Sequence, residues 1–332
     1  MKEANEIVAL IKGAEKIVIT AHRSPDGDSV GSTMAMYHFI KALGKQAKVC
    51  HPDPAPSFLD WVKEGVDFVD YIHREQEVEE IIKGADLLFA LDYNGANRMG
   101  HEMGDLFSAS NAKKVMMDHH PHPDDFVDVA ASYPEVCSTC QLVYELAVSS
   151  GNHNLINKEM GTAIYLGIMT DTGSFRFSSV KPRTHEIIAD LLKIGVEHTL
   201  IHESTYDNVP IDRLKLRGYA ISNKIEVLEK EGVAVLWLSA EELERFDYKK
   251  GDTEGLVNTA LGVEGVRIAA FFSEKDGQVK ISFRSKGSIA VNKIAMDHFS
   301  GGGHMNAAGG VANEPIEDAV KRFKSLVPEY FG

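Results

Sequence analysis

Three short apolar runs in this 332-residue chain each stop at acidic or histidine residues. Lys16-Ile-Val-Ile-Thr-Ala21 runs into His22-Arg23-Ser24-Pro25-Asp26-Gly27-Asp28. Asp86-Leu-Leu-Phe-Ala-Leu91 ends on Asp92, and Lys114-Val-Met-Met117 ends on Asp118-His119-His120. Near-continuous apolar runs of this length, separated by helical patterns, read as strands of a parallel α/β sheet covered on both faces. In such sheets ligands bind beyond the carboxyl ends of the strands. The fold class therefore brings the polar ends of three distant segments to one sheet edge. A fourth segment, helical over Asn157–Thr170, ends at Asp171 and can reach the same edge.

The pattern around these runs predicts further elements. After the first run, Ser29 reads as an N-cap, and Val30, Met34, Tyr37, Phe39 and Ile40 keep a helical apolar period up to Leu43, with Gly44 as the stop. Ala47–His51 and Val127–Ala131 read as strands. Helices are expected over Ser57–Glu64, Glu75–Lys83, Thr139–Ser149 and Arg183–Ile194.

From Gly195 to about Arg213 the chain turns polar, which marks a connector and divides it into 1–194, 195–213 and 214–332. The last part reads as a smaller α+β domain. Glu231-Gly232 lies between the predicted strands Ala220–Leu228 and Val233–Leu238, and Asp276-Gly277 lies between Val266–Phe272 and Val279–Phe283; both are hairpin signals. Helices are expected at Glu241–Phe246, Thr253–Leu261, Ala290–His298 and Ile316–Leu326.

The chain carries a net charge of −14. Residues 212–332 hold 17 basic and 18 acidic side chains, and residues 1–211 hold 18 and 31. An acidic body of this kind lacks the basic stripe needed to grip long nucleic acid, yet it suits a small anion held through metal ions and a few arginines. No apolar run reaches transmembrane length, and Met1-Lys2-Glu3-Ala4-Asn5-Glu6 is unlike a signal peptide. With only three cysteines, no disulfide framework is expected and a reducing cytoplasm is. Cys137-Ser138-Thr139-Cys140 is a C-x-x-C string without a second ligand pair. We expect its cysteines to pack at a helix start, with Ser138 and Thr139 capping.

Asp26, Asp28, Asp92 and Asp171 together carry the charge of two divalent ions, and an oxygen-dominated ligand set selects the Mn²⁺/Mg²⁺ class. Crowded carboxylates without metal repel one another and should titrate high. Two such ions would generate a nucleophile from water at neutral pH and clamp phosphate oxygens, the chemistry of a phosphoesterase.

These strings resemble the signature of the DHH phosphoesterase family. His22-x-x-x-Asp26-x-Asp28-Ser29 resembles its first motif, Asp92 its second, Asp118-His119-His120 its third and Asp171 its fourth. Gly301-Gly302-Gly303-His304-x-x-Ala307-Ala308-Gly309 resembles the glycine-rich motif of the DHH-associated C-terminal domain. The likeness spans essentially the whole chain and is nearest the nano-RNase/pAp-phosphatase branch, which includes exopolyphosphatase-related proteins.

The resemblance implies that His22, Asp26 and Asp92 hold one ion and that Asp28, Asp92, His119 and Asp171 hold the other, with Mn²⁺ foremost and Mg²⁺ or Co²⁺ as substitutes. It implies that His120 stands beside the scissile phosphate, with Asp118 orienting the histidines. Arg284, Ser285, Gly301, Gly302, Gly303 and His304 would grip a terminal phosphate in an interdomain cleft. Arg98 would either touch substrate or brace its loop.

The implied activity is hydrolysis of short oligoribonucleotides, of linear dinucleotides such as pApA, or of the 3′-phosphate of pAp. Hydrolysis of pyrophosphate or polyphosphate is a second reading and a non-catalytic nucleotide sensor a third. A homodimer is implied by the family alone.

Overall fold

The computed structural model describes residues 1–249, 251–275 and 277–331. The chain forms two compact units, Met1–Asn208 and Val209–Gly332. Their division falls inside the polar connector.

In the first unit the elements run α1 (Ala4–Gly13), β1 (Ile17–Thr20), α2 (Gly27–Ala42), β2 (Ala47–His51), β3 (Phe68–Asp70), α3 (Tyr71–Lys83), β4 (Leu87–Leu91), α4 (His101–Ala109), β5 (Lys113–Asp118) and β6 (Val129–Ser132). Then come α5 (Thr139–Ser149), α6 (Lys158–Asp171), α7 (Pro182–Ile194) and α8 (His198–Tyr206). The six strands form one sheet in the order β3-β2-β1-β4-β5-β6, and every pairing is parallel.

Beyond β3 the chain crosses back to the other side of β1, so the winding reverses between β1 and β4. That reversal opens a crevice at the carboxyl ends of these two strands. The central strands β1 and β4 are buried throughout because both faces are covered. Leu87, Phe89 and Leu91 of β4 join one core with α2, α5 and α6, while Leu88 and Ala90 join another with α3 and α4.

Helix α2 is buried along most of its length. It can be so because small residues let its neighbours close in. A Cβ on Gly31 would stand 2.7 Å from the Ala163 carbonyl oxygen of α6. Its N-cap is Asp26, one turn earlier than Ser29, the expected cap. The Asp26 carboxylate accepts from the amides of Asp28 and Ser29, each at 3.0 Å, and so ends the loop sooner than the hydroxyl would. The Ser57–Glu64 segment is a 3-10 helix over Ser57–Lys63.

In the second unit, α9 (Ile211–Asn223), β7 (Ile225–Leu228) and β8 (Val233–Leu238) lead to α10 (Ala240–Arg245) and α11 (Leu256–Leu261). These are followed by β9 (Ile268–Lys275), β10 (Gln278–Ser285), α12 (Val291–His298), β11 (Gly302–His304), β12 (Ala307–Ala312) and α13 (Ile316–Phe331). The sheet order is β11-β12-β10-β9-β8-β7; β8 and β9 pair parallel, and the other neighbours antiparallel.

The stretch 220–223, expected as the start of a strand, instead completes α9, which buries Leu216 and Ala220 against the sheet. Strand β7 is only the remainder. The Glu231-Gly232 turn joins β7 to β8, with Gly232 at φ 67°. Asp276 of the second expected turn lies outside the described residues; the strands flanking it pair with Gln278 opposite Lys275.

Candidate metal centre

Each ligand candidate of the first unit sits where a regular element ends. His22, Asp26 and Asp28 occupy the β1–α2 loop and the first turn of α2, Asp92 follows β4, Asp118 closes β5, and Asp171 closes α6. Loop positions are held by specific partners. Ser24, at φ 54°, donates its amide to Asp53 Oδ2 at 2.8 Å. Asp92 sits at φ 65°, a left-handed conformation that costs energy outside glycine and clusters at functional sites. Its amide donates to the Met117 carbonyl at 3.1 Å, and its carboxylate accepts from Thr139 Oγ1 at 3.0 Å.

Two groups of donor atoms converge. His22, Asp26 and Asp92 each place a ligand atom within 4.8 Å of the others, as do Asp28, His119 and Asp171. Asp92 faces both groups: its Oδ2 lies 3.4 Å from His22 Nε2, and its Oδ1 lies 3.5 Å from His119 Nε2. His119 Nε2 is also 3.5 Å from Asp171 Oδ2 and 3.8 Å from Asp28 Oδ2. These separations are long for charge-assisted hydrogen bonds. They suit neighbouring ligands, since two donors each about 2.0–2.2 Å from one ion stand about 3.0–3.5 Å apart.

The histidines are also oriented as ligands are. His22 Nδ1 lies 2.7 Å from the Arg23 carbonyl and His119 Nδ1 lies 3.3 Å from the Val136 carbonyl. With Nδ1 carrying the proton for these carbonyls, Nε2 presents a lone pair to the carboxylates. The donor set therefore fits divalent cations.

His120 is held differently. Its Nδ1 lies 2.8 Å from Asp118 Oδ1, and its amide donates to Asp118 Oδ2 at 3.0 Å. Both oxygens of the fully buried Asp118 are thereby engaged by the same residue. This leaves His120 Nε2 as the working edge of an oriented ring.

The electrostatics follow from crowding. Burial, then the charges of Asp28 and Asp26, push the Asp92 carboxyl well above the usual carboxylate range. Burial also raises Asp28, against the pull of His119 and of the Cys140 and Thr139 amides. Burial disfavours the charged His119 ring, but Asp171, Asp92, Asp28 and Asp118 outweigh it and bring its pKa up to about 9. Such crowding favours positive charge in the site, from protons or from cations.

Sequence reasoning missed how α5 serves this site. Ser138 caps the helix through the Gln141 amide, and the next two amides point at Asp28: Thr139 N to Oδ2 at 2.6 Å and Cys140 N to Oδ1 at 2.9 Å. The only available signal was a Ser-Thr pair at a helix start. Both cysteines of the C-x-x-C string are buried free thiols. Burial pushes Cys137 up to about 11 and raises Cys140 well above the usual thiol range, which disfavours a thiolate redox pair at neutral pH.

Arg98 is exposed in the 3-10 helix Ala96–Met99, and its carbonyl accepts from the Arg23 amide at 2.8 Å, so the residue braces the loop after His22.

Arg284, Ser285 and the glycine run belong to the second unit. Arg284, the penultimate residue of β10, is half-buried, with Nη1 donating to the Phe283 carbonyl at 2.9 Å. Ser285 is buried and donates to the Ile289 carbonyl at 2.6 Å while accepting from Asn306 Nδ2 at 2.9 Å. Its hydroxyl braces the 285–289 turn.

Gly301 and Gly303 are demanded by packing. A Cβ on Gly301 would collide with the Gly309 carbonyl, and Gly303, at φ 134°, would bring one to 2.6 Å from the Ala307 carbonyl. Gly302 has open space around its Cα, and His304 is exposed.

The family model described as DHH family, N-terminal domain, matches residues 16–168, and the DHHA1 domain matches residues 230–332. The chain is 27% identical over 308 residues to the bifunctional oligoribonuclease and PAP phosphatase NrnA of Bacillus subtilis, covering 92% of this chain and 91% of that one.

The crystal structure of an exopolyphosphatase-related protein from Bacteroides fragilis superposes with a TM-score of 0.94 at 37% identity, covering 99% of this chain and 96% of that chain. RecJ of Thermus thermophilus, solved in complex with Mn²⁺, shares the fold at a TM-score of 0.53 and 14% identity, over 99% of this chain and 55% of its own. The chain belongs to the DHH family, with a DHH domain followed by a DHHA1 domain.

Proposed function

We propose that this DHH-family chain is a phosphoesterase that works with two divalent ions, Mn²⁺ foremost, on short oligoribonucleotides, linear dinucleotides such as pApA, and the 3′-phosphate of pAp. The observation that carries the reading is the pair of ligand groups meeting at Asp92, one oxygen toward each. The name of the B. subtilis relative supports the substrate class, and the Mn²⁺ of the RecJ neighbour supports the ion.

His22, Asp26 and Asp92 would hold one ion, and Asp28, Asp92, His119 and Asp171 the other. Bound there, the ions supply Lewis-acid polarisation of phosphoryl oxygens and a water acidic enough to act at neutral pH. The chain's own residues do the rest. The β1–α2 loop and the two strand ends hold the reacting phosphate in the crevice. Asp118 keeps the proton of His120 on Nδ1, so Nε2 can take a proton from the incoming water or, once protonated, hand one to the leaving oxygen. Arg284 would pair bidentately with a terminal phosphate, while Gly302 and His304 would bring an amide and a ring donor to it. The acidic first unit disfavours long nucleic acid and keeps the substrates short.

A second reading, hydrolysis of polyphosphate, is favoured by the name of the B. fragilis structure. Among the described residues no helix is long and apolar enough to cross a membrane, and the three free cysteines suit the reducing cytoplasm, where we place the protein.

A turnover panel with added Mn²⁺, containing pAp, pApA, a five-residue RNA, pyrophosphate and polyphosphate, tests the assignment. Hydrolysis of the first three is expected. Phosphate release from polyphosphate alone would overturn the substrate choice, and no Mn²⁺-dependent turnover on any substrate would point to a sensor.

A further inference from the structure

Thr139 is the first residue of α5, one position past the cap. Its hydroxyl is therefore not needed for capping, which Ser138 Oγ performs on the Gln141 amide. Instead it donates to Asp92 Oδ1 at 3.0 Å, while its amide donates to Asp28 Oδ2 at 2.6 Å. One fully buried residue thus ties together carboxylates that are 64 positions apart in sequence (28 and 92).

The two oxygens it fixes share a side. Asp92 Oδ1 and Asp28 Oδ2 both face His119 Nε2, at 3.5 and 3.8 Å. Asp92 Oδ2, which looks toward His22, receives nothing from Thr139. Support for Asp28 is otherwise ample: Cys140 N holds its other oxygen at 2.9 Å, and the N-terminus of a helix favours an anion there. Gly167 leaves room for this grip, since a Cβ at that position would stand 2.6 Å from Asp28 Oδ1.

We propose that Thr139 is a positioning residue for one ion only, the one held by Asp28, His119 and Asp171 together with Asp92, and that it sets the difference in affinity between the two ions. The donor occupies one lone pair of Oδ1 and directs the other toward that ion, while the lone pairs of Oδ2 are untouched. Removing such a partner lowers metal affinity by about ten- to a hundredfold. The inference rests on the two-ion reading above.

The test is Mn²⁺ titration of the full-length protein, with free Mn²⁺ followed by electron paramagnetic resonance. Wild type should take up two ions per chain. Thr139→Val keeps the shape and the amide and removes only the hydroxyl. It should retain one ion at wild-type affinity and bind the other about ten- to a hundredfold more weakly. Thr139→Ser should restore the wild-type curve. Thermal melting in chelator checks that each variant folds, and Thr139→Ala gives the same reading if the valine variant does not. Two ions bound as tightly as in wild type, equal weakening of both, or a serine variant that behaves like valine would each overturn the proposal. Fewer than two ions in wild type would overturn the two-ion reading itself, and that is read before any variant is made.

Discussion

The two units meet the demands of anion chemistry in opposite ways. In the first, a parallel sheet aligns its carboxyl ends, and the winding reversal at β1 and β4 opens a crevice lined by ligand candidates, most of them buried. The groups there are crowded and mutually perturbing. In the second, a mixed sheet ends in the β11–β12 hairpin, whose Gly303 is required by the facing strand and whose His304 is exposed. A metal centre needs rigid convergence from several segments, whereas a phosphate grip can be built from one hairpin and one arginine. Substitutions in the first unit should therefore abolish chemistry, and those in the second should weaken binding.

The sharpest break of this contrast is Asp92→Asn. Losing the shared carboxylate should remove several kcal/mol of transition-state stabilisation, on the order of 10³-fold in Mn²⁺-dependent turnover of pAp, and Mn²⁺ uptake should fall with it. A variant that still turns over would mean the two groups are not one site.

Next in size, Arg284→Ala should raise KM for pAp and pApA by about ten- to a hundredfold, the worth of a charge-assisted hydrogen bond, and leave Mn²⁺ uptake unchanged. An unaltered KM would remove Arg284 from substrate binding.

A smaller effect is expected on stability. Asp28, Asp92 and His119 all titrate higher in the metal-free fold than in an unfolded chain. The folded state then binds more protons, so its stability falls as pH rises. For His119 the contribution is complete below 6.5 and lost as pH passes about 9. Melting scans in chelator should show a transition temperature that drops across that window, and saturating Mn²⁺ should flatten the drop. A chelated protein that gains stability toward pH 9 would contradict the crowded-carboxylate picture.

Least change is expected from thiol reagents. Burial holds Cys50 near 12 and Cys137 near 11. At pH 8 only about one Cys137 thiol in a thousand would be thiolate. Iodoacetamide, followed by mass spectrometry, should label the native protein barely and the denatured protein at all three cysteines.

Much of the first unit was legible because its signals are local and repeated. Five of its six strands, and helices such as α5 over Thr139–Ser149, stand where apolar periodicity put them. Other elements carried no such signal. Strand β3 has three residues, and β12 reads Ala-Ala-Gly-Gly-Val-Ala, with no alternation to notice. The end of α9 reads as strand because Ala220 and Ile221 lie only three polar residues ahead of the apolar β7. Asp26 was picked out as a ligand, but its second task as helix cap depends on where the loop turns. Ser285 shows the reverse: a hydroxyl that suits a phosphate on paper is engaged in a turn with Ile289 and Asn306.

Apolar runs alone marked the central buried strands and showed that they end in carboxylates and imidazoles, and hence that a crowded acidic edge would form. Those properties follow from hydrophobic periodicity and from the fixed geometry of parallel sheets. Only the tertiary structure decided which oxygen faces which ring, that His119 turns Nε2 toward the carboxylates while Asp118 engages His120, and that Thr139 bridges Asp28 and Asp92. The reason is distance: these bonds join residues from separate elements, and no local pattern encodes a partner that only the packing of α5 against α2 and the sheet brings within reach.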